Sequence, residues 1–338
     1  MFKKILINTF SNYVFKGVLV LLNLIAIPLL ISEVGQEGFG IIIFASTLCN
    51  YFNILDFGLA DGVIKFVSQF IGQKNYKSLS ETINTSLSIF FFIGIFVCGS
   101  VFILVKLNIL QYFNISIINL IEAKYTFYFA GLISLFAWPQ FVINATFKGL
   151  QDFPTLNLLL GLGRLVSTCA ALIYIHFFEE SISGVFFLFN SDKIYITLIS
   201  YFVLRKNLPY WRFKINDFSV KTIKTIFSFS AWLMLMKIAL LLEYQVDQLI
   251  ISTMVSVSGI AIYTIIFYIF HLIQQVSGLA AATLMPAISQ YREEQKNSNF
   301  KLVVLRCVKY HNIIFAPITV SCFLVCEPLI LIWVGQNY

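Results

Sequence analysis

The side chains of this chain that could do chemistry are ionisable and amide groups set inside long apolar runs. Asn12, Lys16 and Asn23 are spaced by four and seven residues. At about 100° per residue that places them within about 40° of one another, as one polar stripe on a helix. Ser46, Asn50 and Asn53 share a face in the next run, with Asp56 drifting off it and Asp61 further along. Trp138-Pro139-Gln140 predicts a kink, followed by Asn144 and Lys148. Arg164 lies in a fifth run and Asp192-Lys193 in the middle of a sixth. Lys237, Tyr244 and Gln248 share a face of a seventh run, with Glu243 and Asp247 beside them, and Thr264, Tyr268, His271 and Gln275 do so in an eighth. A charge at the centre of a membrane helix costs about 2.5–3.5 kcal/mol on insertion scales, so these groups are expected to face a cavity or a partner. The cavity they predict is wet and mixed in charge.

Each residue also has a plainer reading. Lys16 sits early enough in its run to snorkel to the headgroups. Asp192 and Lys193 would equally mark a span boundary or a short break, and Glu243 and Asp247 would lie at the surface if their run ended early. His271 is also readable as a hydrogen-bonded packing residue. The pairing of Lys16 with Lys237, 221 positions later, is what favours the cavity.

Such groups need a scaffold, and composition names its class. Hydrophobic residues make up 59% of the chain and charged ones 12%, with mean hydropathy +0.86, the balance of an all-α integral membrane protein. With about 20 apolar residues needed per crossing, nine spans are predicted, near 8–31, 39–64, 83–107, 122–147, 155–178, 182–204, 225–252, 259–284 and 303–327. The runs are continuous, without the alternation of a β-barrel. Lys3 and Lys4 precede a run too long for a signal peptide, which reads as the first retained span. Basic residues gather at the start and on the even-numbered connections, above all in 205–224, which makes the N-terminus cytoplasmic. The net charge of +7 is then mostly topology, and no nucleic-acid partner is expected. The six cysteines sit inside apolar runs without CxxC spacing or a nearby histidine pair, as packing residues rather than metal ligands. No phosphate-binding GxxxxGK[ST] loop, HExxH or GxSxG occurs. An enzyme is not expected, no cofactor is implied, and ATP-driven transport by this chain alone is disfavoured.

The apolar stretches also repeat. Gly58-Leu59-Ala60 meets Gly278-Leu279-Ala280 at an offset of 220, and Ser68-Gln69-Phe70 meets Ser289-Gln290-Tyr291 at 221. Phe10-Ser11 likewise matches Phe229-Ser230. Six spans precede the basic connection, so both halves enter from the same side as parallel repeats about an axis along the membrane normal. The expected division is a six-helix lobe over 1–218 and a second lobe over 219–338, incomplete and holding only three helices.

Several short strings carry a family resemblance: Asn8-Thr9-Phe10-Ser11-Asn12, Val34-Gly35-Gln36-Glu37-Gly38-Phe39-Gly40, Leu55-Asp56-Phe57-Gly58-Leu59, Phe66-Val67-Ser68-Gln69-Phe70-Ile71-Gly72 and Trp333-Val334-Gly335. On these the chain resembles the bacterial polysaccharide-unit (O-antigen type) flippases. They share an exporter superfamily with the multidrug and toxin extrusion (MATE) proteins and the lipid II flippases. The resemblance implies a MATE-like two-lobe bundle of twelve to fourteen helices moving by alternating access in the bacterial cytoplasmic membrane. It also implies an undecaprenyl-pyrophosphate-linked oligosaccharide as substrate, bilayer lipids around it, and a polysaccharide polymerase and chain-length proteins as candidate partners. Within the superfamily, Lys16, Arg164 and Lys237 suit a diphosphate, and Asn50, Asn53, Gln140, Asn144 and Gln275 suit sugar hydroxyls. The first run has no carboxylate of the kind that MATE drug exporters use, which makes a cation-coupled drug exporter the lesser alternative, beside a truncated, non-transporting form. Proton coupling through Asp56, Asp247 or His271 stays open.

Overall fold

The structure is a computed structural model that describes residues 2–177, 181–214, 217–272, 274 and 300–335. Lipid offers the backbone no hydrogen bonds, so an apolar chain satisfies itself as helix. Helices account for almost all of the described residues. In chain order they are α1 (Phe2–Tyr51), α2 (Leu59–Gly72), α3 (Tyr76–Lys106), α4 (Leu120–Gly149), α5 (Phe153–Phe177), α6 (Ile182–Asn190), α7 (Asp192–Asn207), α8 (Val220–Met254), α9 (Val257–Leu272) and α10 (Phe300–Val334).

Against nine expected spans, six helices among the described residues are long and apolar enough to cross a membrane. A seventh is gained if Val220–Ser230 and Met234–Leu240, bent by 58°, count as one span. The remaining difference lies in two places. The first two expected spans fall in one apolar stretch, Phe10–Asp56, and the eighth is described only as the shorter helix Val257–Leu272. A straight helix of 50 residues would be about 75 Å long, against a hydrocarbon core of about 30 Å. Gly35 resolves the mismatch: its φ of 72° and ψ of 172° break the helix at a conformation that glycine adopts without a Cβ clash. Before the break, Asn157 of α5 bonds Ser11 and Asn12, and Phe15 lies beside Gly161. After it, Phe44 packs edge-on against Phe127 of α4, at 5.5 Å between centroids. The two halves therefore run alongside different helices.

By packing, the chain divides into two compact units, Met1–Ala261 and Ile262–Tyr338. The lobe boundary expected at 218/219 concerns internal similarity instead. In the first unit, α3 and α4 pack through small residues: Ser134 donates to the Gly94 carbonyl at 3.3 Å, and Phe90 meets Trp138 at 5.7 Å. Ser68 of α2 donates to the Gly149 carbonyl of α4 at 2.8 Å. The basic connection after α7 is docked on α3. Asn84, fully buried, donates to the Arg212 carbonyl (3.0 Å) and Asp217 (2.8 Å) and accepts from Trp211 Nε1 (2.8 Å). In the second unit, Tyr268 stacks on Trp333 at 5.7 Å.

The α2–α4 contact has no room to spare, since a Cβ on Gly149 would lie 2.8 Å from Val67 Cβ and 3.0 Å from the Ile64 carbonyl oxygen. Gly99, in α3, faces nothing within 4 Å. Gly149→Ala is expected to cost about 1–3 kcal/mol through overpacking, whereas Gly99→Ala should be neutral or stabilising by about 0.4–1 kcal/mol. Thermal unfolding of the purified variants in detergent checks this; equal midpoints would contradict the packing.

Candidate functional site

The apolar run after Gly35 does not stay helical. It tightens into a 3-10 turn, Phe52–Asp56, and passes through Phe57 (φ 48°) and Gly58 (φ 74°) before α2 begins. A left-handed phenylalanine costs about 1–2 kcal/mol. Asp56 offsets part of this by accepting from the Ala60 amide at 2.9 Å, which satisfies one orphan donor of the new helix. The second span is thus broken at the residues that sequence placed on its polar face.

Into the break reaches Lys237 of α8. Its Nζ donates to Asp56 and lies 3.0 Å from Asp61 Oδ2. Two carboxylates against one ammonium give the trio a formal charge of −1. Aromatic contacts seat α8 here: Phe57 against Phe227 at 6.1 Å, and Lys65 3.7 Å over the Phe229 ring. Higher on α8, buried Gln248 accepts from Thr47 of α1. The trio borders a cavity of about 460 Å³, which Asn50, Asn53, Asn144 and Lys148 also line. Asn144 Oδ1 is buried there with no hydrogen-bond partner among the described residues. A buried acceptor left unpaired is costly, and a polar ligand or water that met it would relieve the cost.

A second chamber of about 170 Å³ shares Asn50, Asn53 and Phe141 with the first and extends to Trp138, Phe186, Asn190 and Lys193. It abuts the junction of α6 and α7 at Ser191, whose backbone keeps helical angles (φ −64°, ψ −21°) within one apolar stretch, Ile182–Asn207. Asp192-Lys193 therefore lies inside a span, at that junction. Arg164 fastens it, donating to the Phe189 carbonyl at 2.7 Å, stacking on the Phe189 ring at 3.7 Å and lying 3.9 Å from Asp192.

The structure gathers only part of the predicted set. Asn50, Asn53, Asp56, Asn144 and Lys237 meet at one cavity. Lys16 is exposed on α1 and Asn23 is half-buried, and neither lines that cavity or the chamber beside it. Asn12 accepts from Asn157 at 2.8 Å, joining α1 to α5, and Arg164 serves the α6–α7 junction. Gln140 is buried in α4 outside both linings. Asp247 is exposed on α8, next to buried Gln248. His271 lies in the second unit with its ring 4.5 Å from Phe267, and Gln275 falls outside the described residues. Sequence reasoning set Asp61 and Lys148 apart from the main stripe, and it missed Asn190. Lys148 lies four residues after Asn144 and Asn190 three before Lys193, a helical spacing that could have found them, whereas Asp61, five after Asp56, joins the site through the break at Phe57 and Gly58. No cluster of three or more metal-ligating side chains occurs among the described residues.

Comparison with known proteins gives the family and the fold. The profile of a family described as "Polysaccharide biosynthesis protein" matches residues 5–292. The chain belongs to that family. Among curated relatives of this family member, a putative O-antigen transporter of Shigella flexneri is 25% identical over 336 residues, covering 94% of this chain and 74% of the relative. The uncharacterized membrane protein EpsK of Bacillus subtilis (strain 168) is 20% identical, over 99% of this chain and 66% of its own length. Solved structures share the fold. An inward-facing multidrug resistance MATE family transporter of the MOP superfamily gives a TM-score of 0.74 at 19% identity, over 94% of this chain and 73% of that one. An outward-facing form gives 0.68 at 18% identity, over 98% and 73%. The family member is accordingly a multi-pass membrane protein with a MATE-like transporter fold.

In this scaffold the three charges of the trio are not equivalent. Asp61 is 45% exposed and Asp56 only 11%. Lys237→Met leaves two carboxylates facing each other and should cost most, about 1–3 kcal/mol, between the values for exposed and buried pairs. Asp56→Asn keeps an acceptor for the Ala60 amide and should cost less, with Asp61→Asn least of all. Unfolding midpoints of the three variants test the ranking; a largest effect at Asp61 would overturn it.

Proposed function

We propose that the chain is a flippase, moving lipid-linked oligosaccharide repeat units across the cytoplasmic membrane for surface polysaccharide synthesis by alternating access. The observation that carries this reading is the polar cavity at the broken second span, lined by Asn50, Asn53 and Asn144. Amides both donate and accept, as sugar hydroxyls do, and broken helices are where transporters of many folds build their sites. Membership of the polysaccharide biosynthesis family and likeness to a relative named as a putative O-antigen transporter support the same substrate class. In this reading the lobes are 1–218 and 219–338, the N-terminus is cytoplasmic, and the lipid tail stays in the bilayer while the head group crosses. A polymerase would take up the delivered unit on the far side.

The trio refines the proposed handling of the diphosphate. Lys237 is already held by two carboxylates, so the rim cation Lys148, which has no carboxylate within 4 Å among the described residues, is the better first contact for the head group. Lys237 would take over only after leaving Asp56.

Deleting the gene in its own host should remove surface polysaccharide and leave lipid-linked repeat units in the membrane. A plasmid copy should restore it, and an Asn144→Leu copy, present at equal membrane level, should restore it about 2- to 10-fold less well, the value of one net hydrogen bond. Intact surface polysaccharide with heightened drug susceptibility would instead favour a multidrug exporter.

A further inference from the structure

The chamber beside the main cavity carries an inference that rests on the flippase reading and narrows its substrate. We propose that this chamber receives one acidic sugar of the repeat unit, with Lys193 holding the sugar carboxylate. At about 170 Å³, it has the volume of roughly six waters at ~30 Å³ each, room for a single pyranose ring. Its walls match such a ring. Phe141, 40% exposed, offers an apolar face to ring C–H groups in front of the buried Trp138 and Phe186, and Asn50 and Asn53 offer amides to hydroxyls.

The charge decides which sugar. Arg164 lies 3.9 Å from Asp192, the side chains of Arg164, Asp192 and Lys193 sum to +1, and Lys193, which alone of the three lines the chamber, has no carboxylate within 4 Å among the described residues. Its Nζ donates to Asn190 Oδ1 at 2.7 Å, which uses one of three N–H donors. Asn190 is fixed in turn by donating to the Phe186 carbonyl at 3.0 Å. The local excess is one positive charge inside a membrane span, where uncompensated charges are costly and mark binding sites or pathways. A neutral sugar would leave it uncompensated. A pyrophosphate would neutralise it but has neither C–H faces for the aromatic wall nor hydroxyls to donate to the amides. A uronic acid supplies all three, and the chamber adjoins the main cavity, since Asn50, Asn53 and Phe141 line both.

The test is calorimetric titration of the purified full chain in detergent with four probes: D-glucuronate, its neutral analogue D-glucuronamide, D-glucose and inorganic pyrophosphate. Glucuronate is expected to bind about tenfold more tightly than glucuronamide or glucose, the scale of one charge-assisted hydrogen bond. Lys193→Gln, monodisperse like the parent, should abolish that preference. The comparison of glucuronate with glucuronamide needs no variant, so it holds even if Lys193→Gln misfolds. Equal binding of the two, a preference for pyrophosphate that Lys193→Gln removes, or no binding of any sugar would each overturn the proposal. The titration requires no transport, and gene deletion reads transport without reference to sugar charge, so the two readings can fail separately.

Discussion

A lysine ammonium inside a membrane span must be neutralised, and the neutralisation of Lys237 governs the geometry around it. Its two carboxylates come from the break between α1 and α2, one from the 3-10 turn and one from the first turn of α2. Had the second span continued as a helix, positions 56 and 61 would stand about 140° apart around the axis, and one ammonium would not reach both. The unwinding through Phe57 and Gly58 brings them together. It also turns Asp56 into a cap for α2. One side chain thus relieves the strain of the break and anchors α8.

The group at Ser191 carries the opposite sign. The backbone stays helical there (φ −64°, ψ −21°), and Arg164 crosses from α5 to donate to the Phe189 carbonyl. Asp192 lies 3.9 Å from Arg164, and Arg164, Asp192 and Lys193 sum to +1. The Lys237 trio, beside the neighbouring cavity, carries −1. An anionic solute therefore meets opposite charge at Lys193 and like charge at the trio.

Legibility in the sequence followed periodicity. Helical class, the polar stripe of Asn50 and Asn53, and the candidacy of Asp56 and Lys237 could be read because apolar runs and a 100° period are local properties. The same rule misassigned Asn12, because a stripe on a helix says that a partner exists without saying which. Its partner is the amide of Asn157, 145 residues away. The docking of the basic connection on Asn84 was illegible for a related reason. A buried asparagine inside an apolar run looks like a cavity residue, and here its amide serves Trp211, Arg212 and Asp217 in the loop. Lys193 was visible, but a charge pair in mid-span reads equally as a misplaced boundary until the helical path is seen to run on through Ser191.

The trio also constrains any motion of α8 against α2. Sliding α8 by one turn, about 5.4 Å, would carry Lys237 out of reach of Asp56 and leave a mostly buried carboxylate unpaired, at a cost of about 3–5 kcal/mol if it stayed charged and dry. An anion that attracted Lys237 would raise that cost, because it would expose Asp56 to a second negative charge. A cation or proton on Asp56 would remove it. On the proposed reading, an anionic head group at the rim and a positive charge delivered to Asp56 are therefore complementary requirements for loosening α8. Of the two acids Asp56 and Asp247, only Asp56 is placed to act this way, since Asp247 is exposed and Lys237 is held by Asp56.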